Sequence, residues 1–307
     1  MDQNTSPNLE LVKTGLDKLI DDANLEIAVV GKATAEDPLV FTQETADNAA
    51  VVSTVIGGGG YFQKSTDDTP LKNEATVTAP SPKTTLIAEF SKNLPIARTF
   101  MADQQLSAVS KAVKQQALTW TATRDRNAAR VYALGFTTQT TIDGVALFSN
   151  SHINANGNTV DNLETGALAD GTLNTTINSL RTQVAQTGAL IGYEPKFLFT
   201  PSVLHKDGMS IAKSVLRAGG SLNDLNYFSD LYPGMKVVYS PFLDATSATA
   251  YFVGGGIHGI NRYVREGFFT TLVDWKTQEN DQYKYKMRAR EEVDAIEYSG
   301  LVGSTGA

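Results

Sequence analysis

Several residue types and patterns are missing from this chain of 307 residues, and each absence excludes a class of protein. The chain has no cysteine, which excludes disulfide bonds, cysteine nucleophiles and thiolate metal sites. No apolar run is long enough to cross a bilayer, so we expect no membrane partner. The N-terminus MDQNTSPNLELV lacks the basic and apolar regions of a signal peptide, and we therefore expect no secretory signal.

Histidine and positive charge are scarce as well. The three histidines are scattered, and no H-E-x-x-H or EF-hand spacing occurs, so we expect neither a metal nor a cofactor. The formal net charge of −7 argues against a general binder of free nucleic acid, which needs a basic face. With 41% hydrophobic and 19% charged residues, the composition is that of a folded globular protein rather than a disordered one.

The stretch DGVALFSNSHINANGN, residues 143–158, has the residue types of a serine hydrolase site. A hydrolase nucleophile usually lies on a Gly-x-Ser-x-Gly elbow, and Ser149 and Ser151 have no such glycine frame. His152 follows Ser151 directly, and neighbouring side chains on an extended chain point apart. We therefore favour a strand, GVALF, that runs into an exposed polar loop, with His152 far from any acid and outside any deep pocket. A soluble hydrolase using Ser151 and His152 is the alternative.

Two glycine-rich stretches resemble nucleotide-binding motifs. Gly254, Gly256 and Gly259 satisfy G-x-G-x-x-G, and Asp274 lies about twenty residues from the first glycines, as a ribose-binding acid would. That motif requires a following helix, whereas INRYVREGFFTTLVDW is β-branched and aromatic and predicts a strand. We interpret the glycines as a hinge between two lobes. The stretch IGGGGYFQKST departs from phosphate-loop spacing and is interpreted as a flexible joint.

The clearest helix is predicted over residues 103–134, with Asp103 as N-cap and Gly135 as the C′ glycine. At 1.5 Å per residue it would be about 45 Å long, which suits a structural spine. Its predicted buried stripe consists of Leu106, Val109, Val113, Ala117, Trp120, Ala128 and Val131.

An α/β unit is predicted to follow over residues 137–259. We expect a helix in TLNTTINSLRTQVAQTG that ends at Gly188, and a helix in VLHKDGMSIAKSVLRAGG that is broken near Gly208. PKFLFTP, GMKVVYSP and TAYFVGGG are predicted strands. Near the N-terminus, LELVKTGLDKLIDDA has helical spacing.

Long β structure is predicted on both sides of this unit. Residues 51–100 are polar and cannot bury a core of their own, so another chain must stabilise them if they are ordered. Within them, TTLIAEFSKNLPI predicts one strand with Leu86, Ala88 and Phe90 on one face. Near the C-terminus, GFFTTLVDWKT and QYKYKMRAREEVDAIEYSG are predicted strands joined by a turn at QEND.

The last predicted strand alternates strictly between apolar and basic residues. One face carries Tyr283, Tyr285, Met287 and Ala289, and the other carries Lys284, Lys286, Arg288 and Arg290. Acidic residues follow directly downstream, namely Glu291, Glu292, Asp294 and Glu297. The basic face is either an ordinary solvated surface or a surface that pairs with acidic groups of a neighbouring subunit.

The order of these parts resembles the major capsid protein of tailed bacteriophages, which has the Hong Kong 97-type fold of class α+β. The resemblance implies an N-terminal arm (1–50), an extended E-loop hairpin (51–100), a peripheral domain with the spine helix and long strands (101–136 and 260–307), and an axial α/β domain (137–259). The segments DGVALFSNSH with LNTTINSLR, PKFLFTPSVL and RNAARVYALGF are similar to the Mu-type major head subunit family in particular.

The resemblance implies a structural protein and no enzyme. Its subunits would form hexamers and pentamers of an icosahedral shell around packaged double-stranded DNA, bound without sequence specificity. Further partners would be scaffold, portal and decoration proteins, and the protein would belong to the virion after assembly in the cytoplasm of the host bacterium. An encapsulin-like nanocompartment is the alternative within this fold. Some relatives crosslink an E-loop lysine to a neighbour, for which Lys64, Lys72 and Lys83 are candidates by position.

We predict three groups of residues at contacts between subunits. They are Tyr61, Phe62, Lys72 and Glu74 in the E-loop, Trp120, Arg124 and Arg126 in the spine helix, and Lys284, Lys286, Arg288, Arg290, Glu291 and Glu292 in the terminal strands.

Overall fold

The fold combines four α-helices with thirteen β-strands among the residues that the computed structural model describes, which are 14–15, 18, 39–54, 82–99, 106–154, 156–215, 225–273 and 282–307. The helices are α1 (Leu106–Ala133), α2 (Asp170–Thr182), α3 (Ser202–Lys213) and α4 (Tyr227–Leu231), and a 3-10 turn covers Pro241–Leu243. The strands are β1 (Thr42–Thr45), β2 (Ala50–Ser53), β3 (Lys83–Leu86), β4 (Ala88–Ala97), β5 (His152–Ile153), β6 (Thr159–Val160), β7 (Leu163–Glu164), β8 (Pro195–Pro201), β9 (Lys236–Ser240), β10 (Tyr251–Gly255), β11 (Ile260–Val273), β12 (Gln282–Ala295) and β13 (Leu301–Ser304).

A four-stranded sheet has the order β1-β11-β12-β4 and packs one face against α1. Strict alternation places Tyr285 and Met287 of β12 against Val113 and Ala117 of α1, all of them buried. The opposite face carries the basic residues of β12 and lies open within the described structure, as one face of an antiparallel sheet can. The predicted alternation of this strand is therefore confirmed.

A five-stranded sheet has the order β7-β13-β10-β8-β9 and is covered by α2 and α3. PKFLFTP, GMKVVYSP and TAYFVGGG supply β8, β9 and β10, as predicted. The C-terminal strand β13 pairs with β10 and β7. The segment 260–307, expected to join the peripheral domain as a whole, thus ends in a strand of the other sheet.

The helix α1 connects the two sheets through its two halves. Its N-terminal half packs on the four-stranded sheet, and its C-terminal half packs into a core that contains β8 and β10. Tyr132 lies at the centre of that core, with its ring centroid 4.9 Å from that of Phe199 and 5.2 Å from that of Phe252. Its buried hydroxyl donates a hydrogen bond to the carbonyl of Val40 at 2.6 Å. The predicted role of this helix as a spine is confirmed, whereas Asp103 lies outside the described residues.

Four local predictions were wrong, each because a tertiary contact overrides a local pattern. TTLIAEFSKNLPI forms two strands in different sheets, β3 and β4, and Leu86 is 73% exposed. GVALF is no strand and contributes only one isolated bridge, at Ala146. The helix α3 continues through Gly208, because that glycine packs closely on Leu198 and Val237.

The helix α2 also differs from its prediction. It ends at Thr182, and Val184 forms a bridge with Leu190 in the turn that follows. Gly188 therefore belongs to a turn, where its φ of +83° requires glycine. Gly135 follows α1 for a different reason than the one predicted, since a Cβ there would lie 2.7 Å from the Phe148 ring.

Candidate functional site

The hydrolase-like stretch folds into a buried hydrogen-bonded cluster around His152. Its Nδ1 lies 2.7 Å from Oδ2 of Asp143, and its ring stacks on Tyr298 with centroids 4.4 Å apart. The side chain of His152 is fully buried. Both expectations for this histidine, an exposed loop and no acid nearby, were therefore wrong. The chain turns back after residue 148, and the short β5–β6 hairpin carries His152 into the protein.

The cluster lacks the geometry of nucleophilic catalysis. The Nε2 atom of His152 lies 3.2 Å from the carbonyl oxygen of Leu147, so the position that a nucleophile would need is taken by backbone. The hydroxyls of Ser149 and Ser151 instead contact each other at 2.9 Å. Acceptors at both ring nitrogens are satisfied by a doubly protonated imidazole, which cannot act as a general base.

The electrostatics around Asp143 favour its ionised form. Burial acts to raise the pKa of this carboxyl, but hydrogen bonds from His152, from Thr141 and from the Val145 N–H outweigh burial and lower the pKa. Burial also raises the pKa of Tyr298, which keeps the stacked phenol neutral. The arrangement is a charged clamp between the segment 143–152 and the C-terminal chain.

The other two histidines are isolated from this cluster. The ring of His258 contacts the carbonyl of Leu39 at 3.0 Å, and the ring of His205 packs on Tyr239 with centroids 4.4 Å apart. Burial lowers the pKa of both imidazoles. Across the described ranges, no group of three histidine, aspartate or glutamate side chains is arranged to hold a metal ion.

The glycine stretch does not form a dinucleotide site. Gly254 lies in β10, and the chain passes through Gly259 into β11 rather than into a helix. A Cβ at Gly254 would lie 2.2 Å from the Phe197 ring, and one at Gly259 would lie 2.2 Å from the carbonyl oxygen of Glu297. These glycines allow close packing where the chain crosses from the five-stranded to the four-stranded sheet. Asp274 lies outside the described residues.

Arg124 and Glu291, both predicted at subunit contacts, meet inside the chain. Nε of Arg124 lies 3.4 Å from Oε1 of Glu291, and Nη2 of Arg262 lies 2.5 Å from its Oε2. Arg262 also stacks over the Phe41 ring at 5.4 Å. Burial raises the pKa of Glu291, which the nearby Arg124 guanidinium opposes. This buried cluster joins α1, β11 and β12.

The basic face of β12 divides into a paired half and an unpaired half. Arg288 contacts Glu89 at 3.4 Å and Glu266 at 3.2 Å, and Arg290 contacts Glu266 at 3.8 Å. The partners of these arginines are thus cross-strand neighbours rather than the acids downstream. Lys284 and Lys286 have no ion-pair partner among the described residues and leave that end of the face positive.

The remaining predicted residues of the spine helix and strands are placed as follows. Trp120 stacks on Phe268 at 5.5 Å and meets Phe90 edge-on at 5.7 Å, beside a cavity of about 310 Å³. Glu292 pairs with Arg130 at 3.3 Å. Arg126 is exposed and has no ion pair within the part of the chain that the structure describes.

The E-loop candidates Tyr61, Phe62, Lys64, Lys72 and Glu74 lie outside the described residues. Lys83 is described, and it is fully engaged within its own chain. Its Nζ lies 2.6 Å from Oδ1 of Asp294, 2.7 Å from the carbonyl of Thr140 and 2.6 Å from the carbonyl of Ala295. Three acceptors hold Lys83 as an ammonium ion, which makes it unavailable as a crosslinking amine in this conformation.

Sequence reasoning missed the network around Asp294. Its Oδ2 accepts a hydrogen bond from Thr85 at 2.5 Å, and its Oδ1 accepts one from Gln139 at 2.6 Å. With Lys83, these contacts connect β3, β12 and the segment after α1. The usable signal was a single lysine beside a β-branched pair at the end of the polar excursion, which is too weak to predict a partner 211 positions away.

Comparison with known proteins shows what this architecture is. A family model described as phage capsid protein matches residues 81–303, and the chain therefore belongs to that family. No curated protein sequence matches the chain significantly. The architecture is the Hong Kong 97-type fold of tailed-phage major capsid proteins, while the closer likeness to Mu-type head subunits stays a prediction.

Three solved structures illustrate the shared fold. The chain is similar to a Microbacterium phage Oxtober96 protein (TM-score 0.54, 12% identity, covering 89% of this chain and 91% of that one). It is similar to the procapsid of bacteriophage JBD30 (0.52, 14% identity, 98% and 75%). It is also similar to a virus-like particle from Pyrococcus furiosus (0.53, 10% identity, 94% and 97%). No described helix is long and apolar enough to cross a membrane.

Proposed function

We propose that this major capsid protein assembles as hexamers and pentamers of an icosahedral shell that encloses packaged double-stranded DNA. The observation that carries the proposal is the shape of the layer formed by α1 and the four-stranded sheet. The helix has 28 residues and β11 and β12 have 14 each, so the layer is about 42–46 Å long. Only one small apolar cluster holds it together, which suits a part that neighbouring subunits stabilise.

The four-part division follows from the same assembly. Residues 1–50 would act as an arm, 51–100 as the E-loop, 101–136 with 260–307 as the peripheral domain, and 137–259 as the axial domain. The network of Lys83 and Asp294 supports a fixed base for the E-loop, since it ties β3 to β12. At the subunit contacts we place the residues that have no ion-pair partner among those described, chiefly Arg126, Lys284 and Lys286.

The shell would hold DNA without gripping it. A chain of net charge −7 offers few positive contacts, and phosphate binding rises steeply with their number. Scaffold, portal and decoration proteins would be further partners, and assembly would take place in the cytoplasm of the host bacterium. No enzymatic role is proposed, because the imidazole of His152 is held by Asp143 and Leu147.

A DNA-binding assay and the content of isolated particles test this proposal. We expect the isolated subunit to bind duplex DNA weakly and independently of sequence, and particles from the producing host to protect DNA from nuclease. A tight, salt-sensitive complex of the subunit with DNA would contradict the non-gripping surface. Particles that hold enzymes and no DNA would support an encapsulin-like nanocompartment, to which the likeness with the Pyrococcus furiosus particle points.

A further inference from the structure

The strand β4 is a long free edge of the four-stranded sheet. Within the described part of the chain it pairs only with β12, from Ala88 opposite Glu291 to Ala97 opposite Gln282, without a register shift. Proteins usually blunt such edges with bulges, short strands, charges or proline. This edge is ten residues long and carries one proline, Pro95, near its end. It is therefore able to accept another strand.

Two open cavities lie under this edge, between β4 and α1. One of about 310 Å³ is bordered by Phe90 and Trp120, and the other of about 270 Å³ by Leu94 and Val109. Phe90 and Leu94 are four residues apart on the same face of β4. An added strand would therefore place two side chains, four positions apart, over the two cavities. Strand addition of this kind takes its affinity from backbone hydrogen bonds and its specificity from alternate side-chain pockets.

The N-terminal part of the chain enters the same sheet from the opposite edge. β1 pairs with β11, and the preceding Val40 and Phe41 are buried in the core beside α1. The donor side and the acceptor edge of one subunit are thus different surfaces on opposite sides of one sheet. A contact between two different surfaces is head-to-tail, and it closes into a ring when the rotation between subunits allows it.

We propose that β4 of one copy accepts residues 25–30 of a second copy as an added strand. The proposal rests on the shell function proposed above. The sequence Leu25-Glu26-Ile27-Ala28-Val29-Val30 places Leu25, Ile27 and Val29 on one side when extended. Leu25 and Val29 have the four-residue spacing of the two cavities. Because β-branched and aliphatic residues favour strands, this segment suits the role.

Engineered cysteines test the contact cleanly, since the chain has none of its own. Ala28→Cys is combined with Ser91→Cys and, in a second variant, with Asn93→Cys, because both β4 residues lie on the outer face opposite Arg288 and Lys286. After oxidation of the assembled protein, we expect a ladder of covalent multimers on a denaturing gel. Crosslinked monomer, which would mean pairing within one chain, or no crosslink in either variant would overturn the proposal. Ala28→Cys with Asp207→Cys, on exposed α3, is the control and should give no ladder.

Substitutions on the two sides of the same segment provide a matched second test. Leu25→Asp with Val29→Asp should abolish ring and shell formation, whereas Ala28→Asp with Val30→Asp adds the same charge on the other side and should leave assembly intact. Equal loss in both would overturn the proposal. Shells that form in electron micrographs without any crosslink would exclude this contact alone. A wild-type protein that forms no shells would contradict the proposed function itself.

Discussion

The ring nitrogen Nδ1 of His152 lies 2.7 Å from the carboxylate Oδ2 of Asp143, with the histidine fully buried. The pair has the composition of a catalytic acid–base dyad. The second ring nitrogen faces the carbonyl of Leu147, however, so the ring has no free position for a substrate or a nucleophile. A pair that looks catalytic in sequence is therefore a structural clamp in the fold.

Replacing Asp143 by asparagine should destabilise the subunit by about 2 kcal/mol near neutral pH, the range for hydrogen bonds to charged groups. The folded pKa of Asp143 is lowered, so its stabilisation is complete above the unfolded value of 3.8 and is lost as pH falls through the lower folded pKa. Urea unfolding of wild type and variant from pH 6 down to pH 3 measures this difference. A gap between them that widens as the pH falls would contradict the clamp.

Replacing Lys83 by methionine should cost about 3–5 kcal/mol, because it leaves the carboxylate of Asp294 buried without its cation. The matched variant is Lys206→Met on the exposed side of α3, which should stay within about 0.5 kcal/mol of wild type. Chemical denaturation of dissociated subunits compares them. Equal midpoints would show that the base of the E-loop is held by something else.

Breaking the buried pair of Arg262 and Glu291 should cost more than removing it. Arg262→Met leaves Glu291 with only the more distant Arg124, and we expect a loss of about 3–5 kcal/mol. The double variant Arg262→Met with Glu291→Met removes both buried charges and should lose less. The free energy of unfolding of both variants decides the matter, and a double variant at least as unstable as the single one would refute the account of this cluster.

Two glycine substitutions should act in opposite directions. Gly254→Ala places a Cβ 2.2 Å from the ring of Phe197 and should destabilise by about 1–3 kcal/mol through overpacking. Gly171→Ala, in α2 with open space around it, should stabilise by about 0.4–1 kcal/mol because the unfolded chain becomes less flexible. Thermal denaturation measures both shifts. If the two variants moved in the same direction, the packing at the crossing between sheets would be misjudged.

Local periodicity was sufficient to predict the regular elements. The spacing of Val109, Val113 and Ala117 gave the face that α1 buries, and the alternation around Tyr285 and Met287 gave the face that β12 buries. Such patterns are readable because one face of each element meets a single layer of core. The order of the elements then carried the resemblance to capsid proteins.

The contacts of charged residues could not be predicted in the same way. Glu291 and Asp294 were interpreted together as acids beside a basic strand, yet one pairs with Arg262 and the other with Lys83. Those partners depend on which strands become neighbours in the sheet, and strand order is not a local property. Asp143 and His152 are only nine positions apart, but their contact depends on a reversal of the chain that no glycine–proline signal marks.

Electron microscopy of the purified full-length protein tests the central claim most directly. The account predicts closed icosahedral shells built from rings of subunits. A stable monomer with esterase activity that Ser151→Ala abolishes would contradict it, since His152 would then have to act on a nucleophile rather than hold Asp143 and the carbonyl of Leu147.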